Sequence, residues 1–307
     1  MQRVHRRLCI IPFSSYCEQA RWCLDWCGIA YREQHVLPVM NVPAVWWAQR
    51  TSKAATARSK ADRASSPYSV PVLYDNHASP AEYIADSREI MRYADARSGS
   101  AIPSLFLHPD APPANGDFSA TGELPATVDG MVDYFHDTLG PHARRVGYDG
   151  VLRNKDALAA LLRETGTMPV QSAVLLVLFA MFVNGMTAAL KLKLPAVARS
   201  LVKIDAVFDA VAERLQQPCP DTPTPGDLPP SGRYLAGGWF SAADISFASL
   251  AMPVLMVQQE EGFGSPMVPV TAATQELQDT VARLRAHEAG QHAMWLFKHM
   301  RQRPTEA

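Results

Sequence analysis

Apolar positions follow two rhythms along this chain. Up to about residue 97, short apolar runs alternate with helical spacings. Leu8 to Ile11 is a compact apolar run stopped by Pro12, the pattern of a buried strand. Tyr16 to Cys27 then places Ala20, Cys23, Leu24 and Cys27 at helical spacing, and Gly28 follows where a helix C-terminus favours a residue tolerant of positive φ. Tyr31 to Leu37 alternates loosely as a second strand. Val70 to Tyr74 and Glu82 to Ile84 predict a third and a fourth, joined through the turn residues Asp75 and Asn76. Ser87 to Ala96 closes the unit as a helix burying Ile90, Met91 and Tyr93. The order is βαβ, a connection, then ββα. Parallel strands joined through a helix need a right-handed crossover, so the pattern predicts a helix packed on a mixed sheet.

From Ser98 onward the strand rhythm disappears. Helical spacing is predicted over Val128 to Arg145, Asp156 to Glu164, Gln171 to Leu190, Ala196 to Leu215, Ala242 to Met252 and Thr274 to Arg301. Two proline-rich stretches, Pro103 to Pro125 and Pro218 to Pro230, cannot be helix interiors and read as surface loops. The expected division is a mixed domain over 1–97 and a helical domain over 98–307.

Composition narrows the class. A chain of 307 residues suggests about two domains. With 48% apolar and 19% charged residues it has material for a core and is not a disordered chain. Lys plus Arg is 29 and Asp plus Glu is 30, a net charge of −1, so no global charge points to nucleic acid. The five basic residues from Arg50 to Arg63, beside Trp46 and Trp47, read as a surface segment. Five cysteines in a chain this long do not form the disulfide framework of a small secreted domain. Arg3, Arg6 and Arg7 precede an apolar run that Pro12 ends too soon for a signal-peptide core, so a cytoplasmic location is expected. Thr165 to Leu190 carries no charge across 26 positions, long enough to span a bilayer. Its continuous apolar run, Ala173 to Val183, is only eleven residues, which fits a buried or interface helix better.

Three short segments carry candidate chemistry. Ser14, in Pro12-Phe13-Ser14-Ser15-Tyr16-Cys17, falls at the start of the first helix, where free N–H groups and the helix dipole favour an anion such as a thiolate. An N-cap serine has the same signature. Val70-Pro71 precedes an apolar strand, where a cis bond turns the Val70 backbone outward. Asp86-Ser87 opens a helix and offers a partner for an ammonium group and donors for a carboxylate. Farther on, Ser241 and Asp244 form a structural capping box, with Phe240 placed to staple against Ile245.

Taken in order, Ser14, Val70-Pro71 and Asp86-Ser87 on a βαβ-ββα frame resemble the thioredoxin-like domain of the glutathione transferase family, from Leu8 to about Ala96. The stretch Arg233 to Ile245 resembles the family's C-terminal motif. The resemblance implies an α+β thioredoxin-like N-terminal domain followed by an enlarged all-α domain carrying the acceptor site. It implies glutathione as co-substrate, with no metal. Ser14 aligns with the residue that activates the glutathione thiol, Val70 pairs through its backbone with the cysteinyl part, Pro71 is the cis proline, and Asp86 and Ser87 hold the γ-glutamyl end. The implied partners are glutathione and a small electrophilic or hydrophobic molecule, in a homodimer, without nucleic acid or membrane.

The segment Ser66-Pro67-Tyr68-Ser69 departs from the family's pattern and lacks the basic residue used for the glycyl carboxylate. Two other functions stay open. One is a scaffold that binds glutathione or another ligand without catalysis. The other is a thiol oxidoreductase using Cys17, although Ser14 replaces the first cysteine of a Cys-x-x-Cys pair. Cys17, Cys23 and Cys27 lack metal-ligand spacing and read as helix packing. His136, His142, Arg144 and Arg145 mark either a polar acceptor site or a solvated helix face, and Tyr134 and Phe135 either core or cleft.

Overall fold

The computed structural model describes residues 5–38, 41–42, 45, 69–76, 82–99, 102–107, 124–154, 156, 158–159, 161, 179–189, 192, 194–217 and 228–302. The expectations for Trp46, Trp47, the basic segment and most of both proline-rich stretches lie outside them. So do most of Asp156 to Glu164 and the first part of Thr165 to Leu190.

Strand β1 (Arg6–Ile10), helix α1 (Ser15–Trp26), β2 (Arg32–His35), β3 (Val72–Asp75), β4 (Glu82–Ala85) and α2 (Ser87–Ala96) follow in the expected order. The four strands form one sheet in the order β2-β1-β3-β4. β1 runs parallel to β2 and antiparallel to β3, with Leu8 opposite Leu73, and β3 pairs antiparallel with β4. Alternation along β1 sends Leu8 and Ile10 into the main core with α1, while Cys9 joins Val36, Val72 and Tyr74 in a smaller cluster.

Among the described residues, the elements that follow are helical: α3 (Val128–Tyr134), α4 (Gly140–Leu152), α5 (Phe179–Ala189), α6 (Leu194–Gln216), α7 (Ala242–Leu255), α8 (Gln275–Ala286) and α9 (Glu288–Met300). Together these make a thioredoxin-like unit followed by an all-α region. Helix α7 is rich in Ala and Ser and buried along its whole length, so neighbouring helices pack closely around it. Among the described residues, no helix is long and apolar enough to cross a membrane.

Two elements differ from the sequence pattern. The helix expected over Val128 to Arg145 continues to Leu152, but a wide π turn, Phe135–Leu139, interrupts it. Pro141 supplies no N–H and its ring crowds the carbonyl four residues back, which a regular helix cannot absorb. Phe135 in that turn is core and Tyr134 is half-buried. The helix expected over Thr274 to Arg301 is two helices. His287 leaves the helical region at ψ 145° and its Nδ1 accepts from the Ala289 N–H at 3.3 Å, capping α9. Gly290 permits the sharp return, because a Cβ there would sit 1.8 Å from the Leu284 carbonyl oxygen.

Helix α1 is tied to the second half at several points. Gln19 Nε2 donates to Ser246 Oγ at 2.5 Å, and Trp22 Nε1 donates to the Met300 carbonyl at 3.0 Å. Phe240 lies against Trp26, Trp22 and Tyr234, with ring centres 4.5, 6.3 and 5.8 Å apart. These contacts hold the middle and end of α1 against the second half.

Candidate active site

Ser14 is the N-cap of α1, with extended backbone at φ −83° and ψ 127°. Its N–H donates to the Ile11 carbonyl at 3.0 Å, and the first helical bond runs from Glu18 N to Ser14 O at 2.9 Å. The N–H groups of Ser15, Tyr16 and Cys17 therefore have no acceptor within the helix, the usual condition of a first turn. Cys17 is fully buried. Burial pushes its thiol up to about 12, against hydrogen bonds from the Ser14 hydroxyl and the Ile11 backbone that pull it down. A thiol held protonated and out of solvent is a poor nucleophile.

Cys9, Cys17, Cys23 and Cys27 are all buried free thiols. Burial pushes the Cys9 thiol up to about 11 and raises Cys23 as well. Native protein treated with iodoacetamide at pH 8 is expected to leave these four unmodified, with alkylation appearing only on addition of denaturant. Peptide mass mapping checks this, and rapid native labelling of Cys17 would reinstate it as a reactive thiol.

A cavity of about 490 Å³ opens beside the helix start. Tyr16 on α1 lines it, with residues 69–71 and 86–88 from the sheet unit and His136, Asp137, Pro141 and Arg144 from the π turn and α4. Val70, Pro71, Asp86 and Ser87 thus meet at one cavity, although they come from separate parts of the chain. Ser14 is not among the lining residues.

The Val70-Pro71 bond is cis. Asp86 caps α2 from a left-handed φ of 76°, a costly conformation for a residue with a Cβ. Its Oδ1 accepts from Arg88 N at 2.9 Å and from Arg88 Nε at 3.3 Å, which fixes the carboxylate toward the cavity rim. Arg88 also donates to Asp133 Oδ1 at 3.2 Å, and His136 Nε2 lies 3.6 Å from Asp86 Oδ2. Asp137 is held below its usual range, first by its hydrogen bond with His136 and then by Arg88. Ser87 Oγ is buried and has no hydrogen-bond partner. An unpaired hydroxyl beside a helix N-terminus suits a ligand carboxylate.

Tyr16 was not singled out by the sequence pattern, nor were Arg88 and Asp137. Burial pushes the Tyr16 phenol up to about 12, while the Arg144 cation pulls it down. The phenol therefore stays protonated at physiological pH and can donate. Its Oη donates to the His136 carbonyl across a long 3.4 Å, and the His136 ring meets Tyr16 edge-on at 5.0 Å. Gly140 is required by this approach, because a Cβ there would lie 2.3 Å from Tyr16 Oη. His136 and Arg144 are cleft residues. His142 and Arg145 instead meet Ser200 Oγ, at 3.0 and 2.8 Å.

The sheet order, the cis proline before β3 and the helical remainder define a thioredoxin-like unit joined to an all-α unit. Residues 8–101 match the family model described as the glutathione S-transferase N-terminal domain. Similar folds include a glutathione transferase from Phanerochaete chrysosporium, at 15% identity and a TM-score of 0.53 over 98% of each chain. Another, from Ceriporiopsis subvermispora, was solved in complex with glutathione. It is 16% identical with a TM-score of 0.50, over 98% of this chain and 99% of that one. Comparison with curated proteins gives no match.

Proposed function

We propose that this chain is a glutathione transferase, with residues 1–97 as the glutathione-binding domain and 98–307 as the domain carrying the acceptor site. The observation that carries this reading is the meeting of the cis Val70-Pro71 bond, Asp86 and the unpaired Ser87 hydroxyl at one cavity beside the start of α1. Ser87 and the first N–H groups of α2 take the γ-glutamyl carboxylate, and Asp86 takes the ammonium group. The Val70 backbone pairs with the cysteinyl part. The thiol then lies at the start of α1, where the open N–H groups and the dipole favour its ionised form. Ser14 donates to the thiolate. The proton leaves to solvent, and sulfur forms a bond to the electrophilic carbon as a leaving group or a π electron pair departs. A cytoplasmic homodimer belongs to the same reading.

One observation favours a second reading, a glutathione-binding scaffold without efficient chemistry: Ser14 does not line the cavity. Glutathione titrations that follow both affinity and the ultraviolet absorbance of bound thiolate separate the two. Wild type is expected to bind glutathione as thiolate. Ser14→Ala is expected to keep binding, lose the thiolate signal and slow conjugation about a hundred-fold, the scale of losing one donor to an anion. Tyr16→Phe is expected to keep the signal; its loss there would move the donor role to the phenol. Binding without thiolate, and without consumption of any electrophile in a broad panel, would leave the scaffold.

A further inference from the structure

The two arginines of the cavity are in opposite electrostatic states. Arg88 is neutralised by Asp86 and Asp133 at 3.3 and 3.2 Å, with Asp137 at 3.7 Å. Arg144 makes no ion pair among the described residues, and its Nε is buried without a hydrogen-bond partner. The guanidinium lies over the Tyr16 ring, 5.5 Å from its centre. A ring face attracts a cation but leaves its in-plane N–H donors unused. A half-buried guanidinium on a cavity wall with no ion-pair partner among the described residues is an incomplete site. The group that completes it with two parallel N–H bonds is a carboxylate or a similar planar anion. Beside it, Pro141 lines the same cavity and offers apolar surface for the body of such a ligand.

We infer that the cavity receives a small aromatic or aliphatic acid whose carboxylate docks on Arg144, making Arg144 the specificity-determining residue for an anionic acceptor. The word acceptor rests on the transferase reading above, whereas the carboxylate site does not. Glutathione itself carries a glycyl carboxylate, so the chemistry has two possible sources. Arg144 belongs to α4, apart from the sheet-unit residues assigned to glutathione, and this favours the acceptor.

The test uses the full-length protein with phenylacetate and its uncharged analogue phenylacetamide, each titrated without glutathione and followed by NMR shifts. Wild type is expected to bind the acid about ten-fold more tightly than the amide, and Arg144→Gln to bind the two equally. Arg144→Lys keeps the charge without the fork and is expected to retain part of the preference, which keeps the test informative if the Gln variant folds poorly. Equal binding by wild type, or an undiminished preference in Arg144→Gln, overturns the site. Parallel titrations with glutathione and with γ-glutamylcysteine, which lacks the glycyl carboxylate, identify the source. Arg144→Gln is expected to bind both as wild type does. A ten-fold loss confined to glutathione would assign the carboxylate to its glycyl end and overturn the acceptor assignment. Binding of phenylacetate by a wild type that ignores glutathione would preserve the carboxylate site and remove the transferase reading.

Discussion

Glu18→Gln is expected to lower stability by about 3–5 kcal/mol, the scale of breaking a buried ion pair by removing one charge. Glu18 has no exposed side-chain surface; it accepts from Arg301 Nε at 2.5 Å and forms an ion pair with Arg21 Nη2 at 2.6 Å. Arg301 continues to Asp25 Oδ2 at 2.9 Å, and Arg21 continues to the Pro12 carbonyl at 2.8 Å and Ser265 Oγ at 2.6 Å. The amide keeps the shape but leaves two buried guanidinium groups facing each other with too little negative charge. Burial works to raise the Glu18 pKa, but Arg301 and Arg21 outweigh it and hold the carboxyl below its usual range. A depressed carboxylate contributes stability that is present above its unfolded pKa and lost as pH falls through the folded one. Wild type should therefore lose part of its urea midpoint on acidification below about pH 4.5, and Glu18→Gln should show a flatter profile. The consequence extends to the site, because Pro12 and α1 set the position of Ser14 and Tyr16. A Glu18→Gln midpoint within about 1 kcal/mol of wild type, the range of an exposed pair, would show that the cluster adds nothing to the fold.

The order of strands and helices was legible because β1 and β3 are short apolar runs buried on both faces, while α2 buries one side at helical spacing. Ser87–Ala96 has the predicted bounds, and the bounds of α1 differ by one residue at each end. The break at His287 was not legible, because helical spacing continues on both sides and histidine is not a breaker. It follows from tertiary contact, with Gly290 pressed on the Leu284 carbonyl. Site residues divide in the same way. Val70, Pro71, Asp86 and Ser87 mark themselves by backbone chemistry, a proline before a strand and a cap before a helix, and the fold brings them to one cavity. Tyr16 and Arg144 carry no such mark. Tyr16 fits the apolar spacing of an ordinary helix, and Arg144 and Arg145 differ only by one step of helix rotation. That step sends Arg144 to the cavity and Arg145 to Ser200. Ser14, the strongest sequence signal, stands at the N-cap position of α1 without a side-chain cap hydrogen bond and does not line the cavity.

Asp244→Ala is expected to destabilise the protein by about 3–5 kcal/mol, because two buried backbone donors lose their acceptor as well as the helix its cap. Asp244 Oδ2 accepts from Ser241 N at 3.0 Å and from Ser241 Oγ at 2.8 Å, and Oδ1 accepts from Leu235 N at 3.0 Å. His292 Nε2 faces Oδ1 at 3.2 Å from α9. The capping box therefore does more than start α7: it also ties the Leu235 loop and the last helix to that helix's buried N-terminus. No residue of α7 is exposed, so water cannot readily replace the lost acceptor. Asp244→Asn retains one acceptor oxygen for Leu235 but presents N–H to the Ser241 donor, and should cost about half as much. Ser241→Ala removes a single bond while leaving the carboxylate in place, and should cost about 1 kcal/mol. Urea unfolding of the three variants checks both magnitude and order. If Ser241→Ala proved as damaging as Asp244→Ala, the stabilisation would reside in the serine hydroxyl alone, and the links to Leu235 and His292 would carry none of it.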